Sequence, residues 1–420
     1  MLRPMSESVR EICVQARLSA RALAPTSTEH KNRALTALAA RLDESVELIQ
    51  RENERDLAAG REKGLSAAML DRLTLNAPRI RSLAAAVREI VALEDPVGEV
   101  VSKTVRPNGL VVQRVRVPIG VIGMVYEARP NVTVEAAALA FKAGNAIVLR
   151  GGSEAIHTNV VLEGLVRGSI GDAGLPPRAV QLIADVDRKT VGELITQTET
   201  VDLVIPRGGE SLIRFVTEHA RVPVVQHYKG VCHMLLTEGA VPAESARIVL
   251  DAKLQRPGVC NALECLLVTE AEAEALLPVV LGALMAGGCE IRGCPRARAL
   301  VPGIALATDA DYGQEFLDKI LAVRVVPDLD AALAHIAQYG SGHTEAIITT
   351  NDAFAARFRS HVDAACVVVN ASTRFHDGGE LGLGAEIGIA TSRLHWRGPM
   401  GLESLTTMKW VVQGAGQVRG

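Results

Sequence analysis

Cys260 lies in Gln255-Arg256-Pro257-Gly258-Val259-Cys260-Asn261, on a Pro-Gly turn rather than inside an apolar segment. A cysteine kept for packing usually sits among apolar neighbours and is inert. A thiol beside a cation or a helix start is biased toward the thiolate. Arg256 and a helix-compatible run ahead of the apolar stretch 265–268 would both act in that direction. Covalent chemistry through Sγ of Cys260 is the first expectation.

Arg129-Pro130-Asn131 falls where a short apolar run gives way to a helical pattern. Locally Asn131 reads as a helix N-cap; the functional alternative is an amide donor aimed at a developing oxyanion. Two further run-ends lead into glycine-containing helix starts, Arg150-Gly151-Gly152-Ser153 and Pro206-Arg207-Gly208-Gly209-Glu210. Glycine there lets a phosphate reach free backbone N–H groups, and the adjoining arginine can pair with its oxygens. Neither is a GxGxxG fingerprint, and each alone matches an ordinary tight turn. Their recurrence in consecutive units points to a dinucleotide site.

Gly382-Leu383-Gly384 has the outline of such a fingerprint, but His376-Asp377-Gly378-Gly379-Glu380 before it is no strand. A loop that moves or covers a ligand is the better reading. Glu315 and Lys142 read locally as solvated helix charges. Histidines 219, 227, 233, 335, 343, 376 and 395 form no triad by spacing.

The elements that must position these groups follow from periodicity. Residues 5–95 are helical in pattern, with Pro25, Gly60 and Pro78 as punctuation. Residues 97–117 alternate around Pro107-Asn108-Gly109 and read as a long β-hairpin. Strands are then expected at 121–126, 146–150, 180–183 and 201–205. Helices fall at 132–143, stopped by Gly144, from Ser153 as N-cap to about 167, and at 188–196. A second alternation begins near His233, with strands at 264–268, 322–326, 345–349 and 366–369 and helices at 271–286, 328–338 and 352–360. A glycine-rich stretch after Asn370 precedes a last strand at 405–412. The expected fold is α/β, with two doubly wound lobes and a projecting hairpin. The expected division is 1–232 for a cofactor lobe, 233–370 for a catalytic lobe and 371–420 for a return segment.

The 420 residues allow about two to three domains. Hydrophobic residues make up 48% but aromatics only 3%, so aliphatic side chains must fill the cores. A net charge of -3 gives no basic field for nucleic acid or anionic membrane. The cysteines (13, 232, 260, 265, 289, 294 and 366) are odd in number, with no CxxC and no zinc-framework spacing. No metal is expected, and Cys232-His233 reads as a pair of strand-end residues. Residues 1–9 carry no apolar core of signal-peptide length, and no run reaches the ~18 apolar residues of a span. The expectation is a soluble, cytoplasmic protein.

Several long blocks resemble the aldehyde dehydrogenase superfamily: PIGVIGMVYEARPNVTVEAAALAFKAGNAIVLRGGSEA (118–155), PRGG (206–209), HYKGVCH (227–233), QRPGVCNALE (255–264), YGSGHTEAI (339–347) and VNASTRFHDGGELGLGAEIGIATSRLHWRGPMGLESLTTMKW (369–410). Within it they are most similar to the branch that reduces L-glutamyl 5-phosphate to L-glutamate 5-semialdehyde and phosphate with NADPH, in proline biosynthesis. The resemblance implies Cys260 as nucleophile, with Asn131 and the Cys260 backbone N–H as the oxyanion hole. It implies Arg150 and Ser153 at the adenosine ribose and 2′-phosphate of NADP(H), Gly208 and Gly209 near the diphosphate, and Glu315 at the nicotinamide ribose. Arg129, Arg256, Arg374, Ser372, Thr373 and Lys229 become candidates for the substrate's charged and polar groups.

Hydrolysing members of the superfamily keep a water-activating glutamate in a block that here reads Tyr228-Lys229-Gly230-Val231-Cys232. Its absence fits a thioester exchanged with phosphate rather than water. The hairpin and last strand resemble oligomerisation elements, implying a homodimer or homotetramer. The lability of an acyl phosphate makes a transient complex with glutamate 5-kinase a reasonable partner. Another acyl-phosphate or acyl-CoA reductase, a thiol acyltransferase without nicotinamide, and a non-catalytic relative are the alternatives.

Overall fold

The computed structural model describes residues 7–419. Residues 1–6, part of the segment read above as lacking a signal-like core, lie outside the described residues. Five helices open the chain, Val9–Leu23, Thr28–Glu44, Val46–Glu62, Ala67–Leu73 and Ala77–Ala92. The first begins in a capping box, in which Ser8 Oγ accepts from the Glu11 N–H while a Glu11 carboxylate oxygen accepts from the Ser8 N–H at 2.9 Å.

All of these helices but Ala67–Leu73, together with Asn131–Lys142 and Ile156–Asp172, share one apolar core with a four-stranded parallel sheet, ordered Val180–Leu182, Ala146–Gly151, Val121–Tyr126, Leu203–Arg207. Strands buried on both faces must be continuously apolar, as Val121–Tyr126 is. The chain steps outward from Val121–Tyr126 through two strands, then crosses to its other side for Leu203–Arg207. That reversal opens a crevice beyond the carboxyl ends of Val121–Tyr126 and Leu203–Arg207.

The second lobe holds a seven-stranded sheet ordered Ala305–Leu306, Glu290–Gly293, Ile320–Val326, Leu263–Thr269, Cys232–Leu236, Thr344–Ile348, Cys366–Val369, parallel throughout. The α/β class and the two doubly wound lobes expected from the sequence are present. The expectation missed the helix Pro242–Leu254 and the strand Glu290–Gly293, the latter because its four residues alternate too briefly.

The hairpin Val100–Val105 and Val111–Pro118 forms a separate antiparallel sheet, completed by Thr406–Gln413 from the far end of the chain. Every residue of Val100–Val105 is exposed. No described helix is long and apolar enough to cross a membrane.

Three local expectations are corrected. Helix Asn131–Lys142 has Pro130 at its cap, so Asn131 is the first helical residue and its side chain is free of capping. Ser153 is not an N-cap either, because a 3-10 turn Ser153–Ala155, capped at Gly152, precedes the helix. Lys142 is no solvated charge: it is fully buried, and Nζ donates to Asn32 Oδ1 at 2.5 Å and the Val91 carbonyl at 3.0 Å.

Candidate active site

The two lobes present opposite ends of their strands to a shared cleft. The first contributes residues that follow its strands: Arg129 and Asn131 after Val121–Tyr126, and Gly208 and Gly209 after Leu203–Arg207. The second contributes residues that precede its strands: Gly230 before Cys232–Leu236, Cys260 before Leu263–Thr269 and His343 before Thr344–Ile348.

A cavity of about 670 Å³ lies between them, and both Cys260 and Asn131 line it. Six arginines line it too: Arg72 and Arg79 from the helical N-terminal part, Arg129 and Arg207 from the first lobe, and Arg256 and Arg374. Asp71, Glu135, Asp377 and Glu386 intersperse carboxylates among them. Lost hydration and the crowding of Arg207, Arg72 and Arg256 hold Arg129 below its ordinary value. Such a cavity favours a ligand that carries several negative charges.

No helix starts at Cys260. The residue sits in tight turns, with Ala262 N–H donating to the Val259 carbonyl, and leads directly into its strand. Burial pushes the thiol up to about 11, and the cation that opposes this is Arg207, not Arg256. Glu315 and Glu386 push it further up. The expectation of a thiolate favoured by a helix start and Arg256 is therefore corrected, because desolvation outweighs the local charges.

Asn131 Nδ2 donates to Glu135 Oε2 at 3.0 Å. That bond fixes which end of the amide is the donor and leaves its second N–H for a ligand. Glu135 was legible as the residue one turn on from Asn131, on the same helix face. Ala128, just before this segment, has φ 46, and its N–H is held by Glu154 Oε1.

Glu315 is not on a helix. It follows the 3-10 turn Asp309–Gly313, and its Oε1 accepts from the Gly230 N–H at 2.9 Å. Burial raises its carboxyl above the usual range. Gly209 caps helix Glu210–His219, and its N–H donates to Glu127 Oε2 at 2.9 Å. A carboxylate thus occupies the helix N-terminus as a stand-in anion, and the residues fit a diphosphate there.

Arg150 fits the cofactor's 2′-phosphate less well. Its guanidinium is buried and bonded to Thr190 Oγ1 and to the carbonyls of Gly151, Val186 and Asp187. Its donors brace the loop after Val180–Leu182 instead of meeting a ligand.

Ser372 and Thr373 correct another expectation. Both are buried, and neither lines the cavity. Ser372 caps a 3-10 turn, accepting from the Arg374 N–H, and Thr373 Oγ1 donates to the Asn261 carbonyl at 2.7 Å. Asn261 also donates to the His376 carbonyl at 3.0 Å and accepts from Arg374 Nη1. This web pins the glycine-rich stretch after Asn370 beside Cys260. Lys229 points elsewhere, 3.8 Å from Glu210.

The sequence reading missed Glu386 and the histidines behind Cys260. Burial and Asp377 raise Glu386 to about 7, and its Oε2 accepts from the Gly378 N–H. The lack of a carboxylate in 228–232 therefore does not leave the cavity without one. Ring nitrogens of His227 and His343 and Sγ of Cys260 all lie within 4.8 Å of one another. Burial and Arg207 hold His227 down to about 4. A second trio, His233, Cys265 and His335, is fully enclosed in the second lobe. No spacing rule could have found either trio, since the sheet order brings distant strands together.

The aldehyde dehydrogenase family profile matches residues 4–285. The "Gamma-glutamyl phosphate reductase" of Xanthomonas campestris pv. campestris is 54% identical over 412 residues, 98% of this chain and 100% of that protein. The one from Geotalea daltonii is 52% identical over 415 residues, 99% of each. The crystal structure of gamma-glutamyl phosphate reductase from Thermotoga maritima superposes with a TM-score of 0.97 at 45% identity, covering 99% of this chain and 100% of that one.

Proposed function

We propose, from the premise that this chain belongs to the aldehyde dehydrogenase family, a residue-level account of how it performs γ-glutamyl phosphate reduction. The activity is that of its full-length relatives, the reduction of γ-glutamyl phosphate in proline biosynthesis. The observation that carries the account is the arginine-lined cavity around Cys260 and Asn131.

In this account Sγ of Cys260 attacks the γ-carbonyl of L-glutamyl 5-phosphate and phosphate departs, leaving a thioester. Asn131 and the Cys260 backbone N–H stabilise the oxyanion. Arg129, Arg207, Arg256 and Arg374 hold phosphate and α-carboxylate, while Glu386 or Asp377 faces the α-ammonium. The same cations favour phosphate over water as the exchange partner of the thioester.

NADPH, when bound, supplies the hydride that converts the thioester to glutamate 5-semialdehyde. Gly208, Gly209 and Ser153 would hold it, with Glu315 at the ribose beside the reacting centre and Arg150 shaping the adenosine end through its loop. Residues 1–232 serve as cofactor lobe, 233–370 as catalytic lobe and 371–420 as return segment.

The fully exposed edge strand Val100–Val105 supports a homodimer or homotetramer built on that sheet. Unpaired cysteines, all seven of them, fit a cytoplasmic enzyme. A transient complex with glutamate 5-kinase would shield the labile acyl phosphate.

The test runs the reaction backwards, with glutamate 5-semialdehyde and NADP, with and without phosphate. NADPH turnover that depends on phosphate is expected. Steady phosphate-independent formation of glutamate would overturn the reading.

A further inference from the structure

We propose that His227 takes the proton from the Cys260 thiol and passes it to the departing phosphate oxygen, so that the nucleophile works as a neutral thiol–imidazole pair. The proposal rests on the reductase reading above. It starts from the trio in which a His227 ring nitrogen lies within 4.8 Å of Cys260 Sγ.

The tautomer of His227 follows from its partner. Nδ1 is 2.9 Å from the Ile389 carbonyl oxygen, which can only accept, so Nδ1 carries the hydrogen. Nε2 then presents a lone pair. His343 and His376 are fully buried, and their Nδ1 atoms are both engaged with Thr344 Oγ1 at 2.7 Å. His227, only part-buried, is the most accessible ring of this group, and it lies just behind Cys260 rather than in the cavity lining.

The charged and titratable groups acting on His227 are Arg207, His343, His376 and Cys260. Burial first, and then Arg207, disfavour an imidazolium, so the resting ring is neutral and able to accept. The pair is longer than a hydrogen bond here, as is common before a substrate arrives.

The proton balance of the acylation step closes without solvent, and water supplies the proton that later restores the thiol. As the Sγ–C bond forms, the thiol proton moves to His227 Nε2. As the C–O bond to phosphate breaks, that proton passes to the departing oxygen. Thiol and acyl phosphate dianion become thioester and hydrogen phosphate dianion. A resting thiolate would instead expel phosphate as a trianion with no donor at hand.

The test compares wild type with His227→Ala and His227→Gln, two readouts being taken on each. The first is the rate at which iodoacetamide labels Cys260, followed by mass spectrometry from pH 6 to pH 11. The alanine variant should label roughly tenfold slower near neutrality, with the gap closing where hydroxide can remove the proton. Added imidazole should restore its rate in proportion to the free base, and glutamine, which cannot accept a proton, should not restore it.

The second readout is the single-turnover burst of NADPH from glutamate 5-semialdehyde and NADP without phosphate, expected to fall about a hundredfold. A labelling gap equal at every pH, no gap, or full activity in the glutamine variant would overturn the proposal. If wild type labels as expected yet gives no burst, the reductase reading fails and the labelling arm alone decides the role of His227.

Discussion

Gly230 lies with its Cα against the backbone carbonyl of Cys260, so close that any Cβ there would overlap that carbonyl. Neither partner can yield, because the Gly230 N–H is held by Glu315 and the Cys260 carbonyl accepts from Cys232 Sγ at 3.2 Å. Gly230→Ala should therefore displace Cys260. A shift of about 1 Å at a reacting centre can cost about a hundredfold in rate. kcat/KM in the reverse assay should fall by that order, while thiol titration still finds Cys260; an unchanged kcat/KM would refute the claim.

Cys260→Ala should abolish turnover, and Asn131→Ala should lower kcat by about a hundred- to a thousandfold. The asymmetry follows from the proposed roles, in which one forms the bond and the other supplies half of an oxyanion hole. Steady-state kinetics that rank the two variants the other way would contradict it.

Glu135→Ala frees the Asn131 amide to rotate without removing it. The expected loss lies between wild type and Asn131→Ala. Glu135→Gln should recover part of it, because a glutamine carbonyl still accepts from Asn131 Nδ2. The comparison is made on kcat with KM recorded separately.

Glu386 gives a pH signature. Burial raises its carboxyl to about 7, so the folded state binds a proton more tightly than the unfolded chain does. Its contribution to stability is complete below the ordinary carboxyl range and is lost as pH rises through about 7. Urea midpoints of Glu386→Gln should decline less than those of wild type across that window. Parallel curves would exclude the shift.

Lys253 and Glu264 form an ion pair at 2.7 Å with both side chains fully buried. Glu264 also accepts from the Leu317 N–H at 3.3 Å, and Leu317 has φ 54. Lys253→Met would leave a carboxyl buried without its cation, at a cost of about 3–5 kcal/mol. Chemical denaturation should report that loss, and the double variant Lys253→Met with Glu264→Leu should recover much of it.

Legibility in the sequence followed the physics of each element. Runs such as Val121–Tyr126 and residues 146–149 are continuously apolar because both faces are buried, and turn residues such as Gly144 bound their helices. Cys260 stood out through its Pro-Gly turn. The charge environment was less legible, since Arg207 reaches the thiol from the other lobe and burial reverses the shift that local neighbours imply. Ser372 and Thr373 looked like ligand donors because hydroxyls in a glycine-rich stretch cannot be told from hydroxyls that brace backbone. His227 and Glu386 become visible only when strand order joins distant segments.

The strand Thr406–Gln413 completes the hairpin sheet, and Arg116 reaches Thr406 Oγ1 across 290 positions of sequence. Asn145, in the first lobe, likewise donates to the Leu405 carbonyl at 2.8 Å. During synthesis the first lobe must therefore wait for residues made some 260 positions later before its hydrogen bonds are complete. Closing so long a loop is slow relative to local helix formation. Until then the nascent chain exposes the unpaired edge of Val111–Pro118, which makes this interval the one in which a chaperone, or a second nascent copy, would meet it.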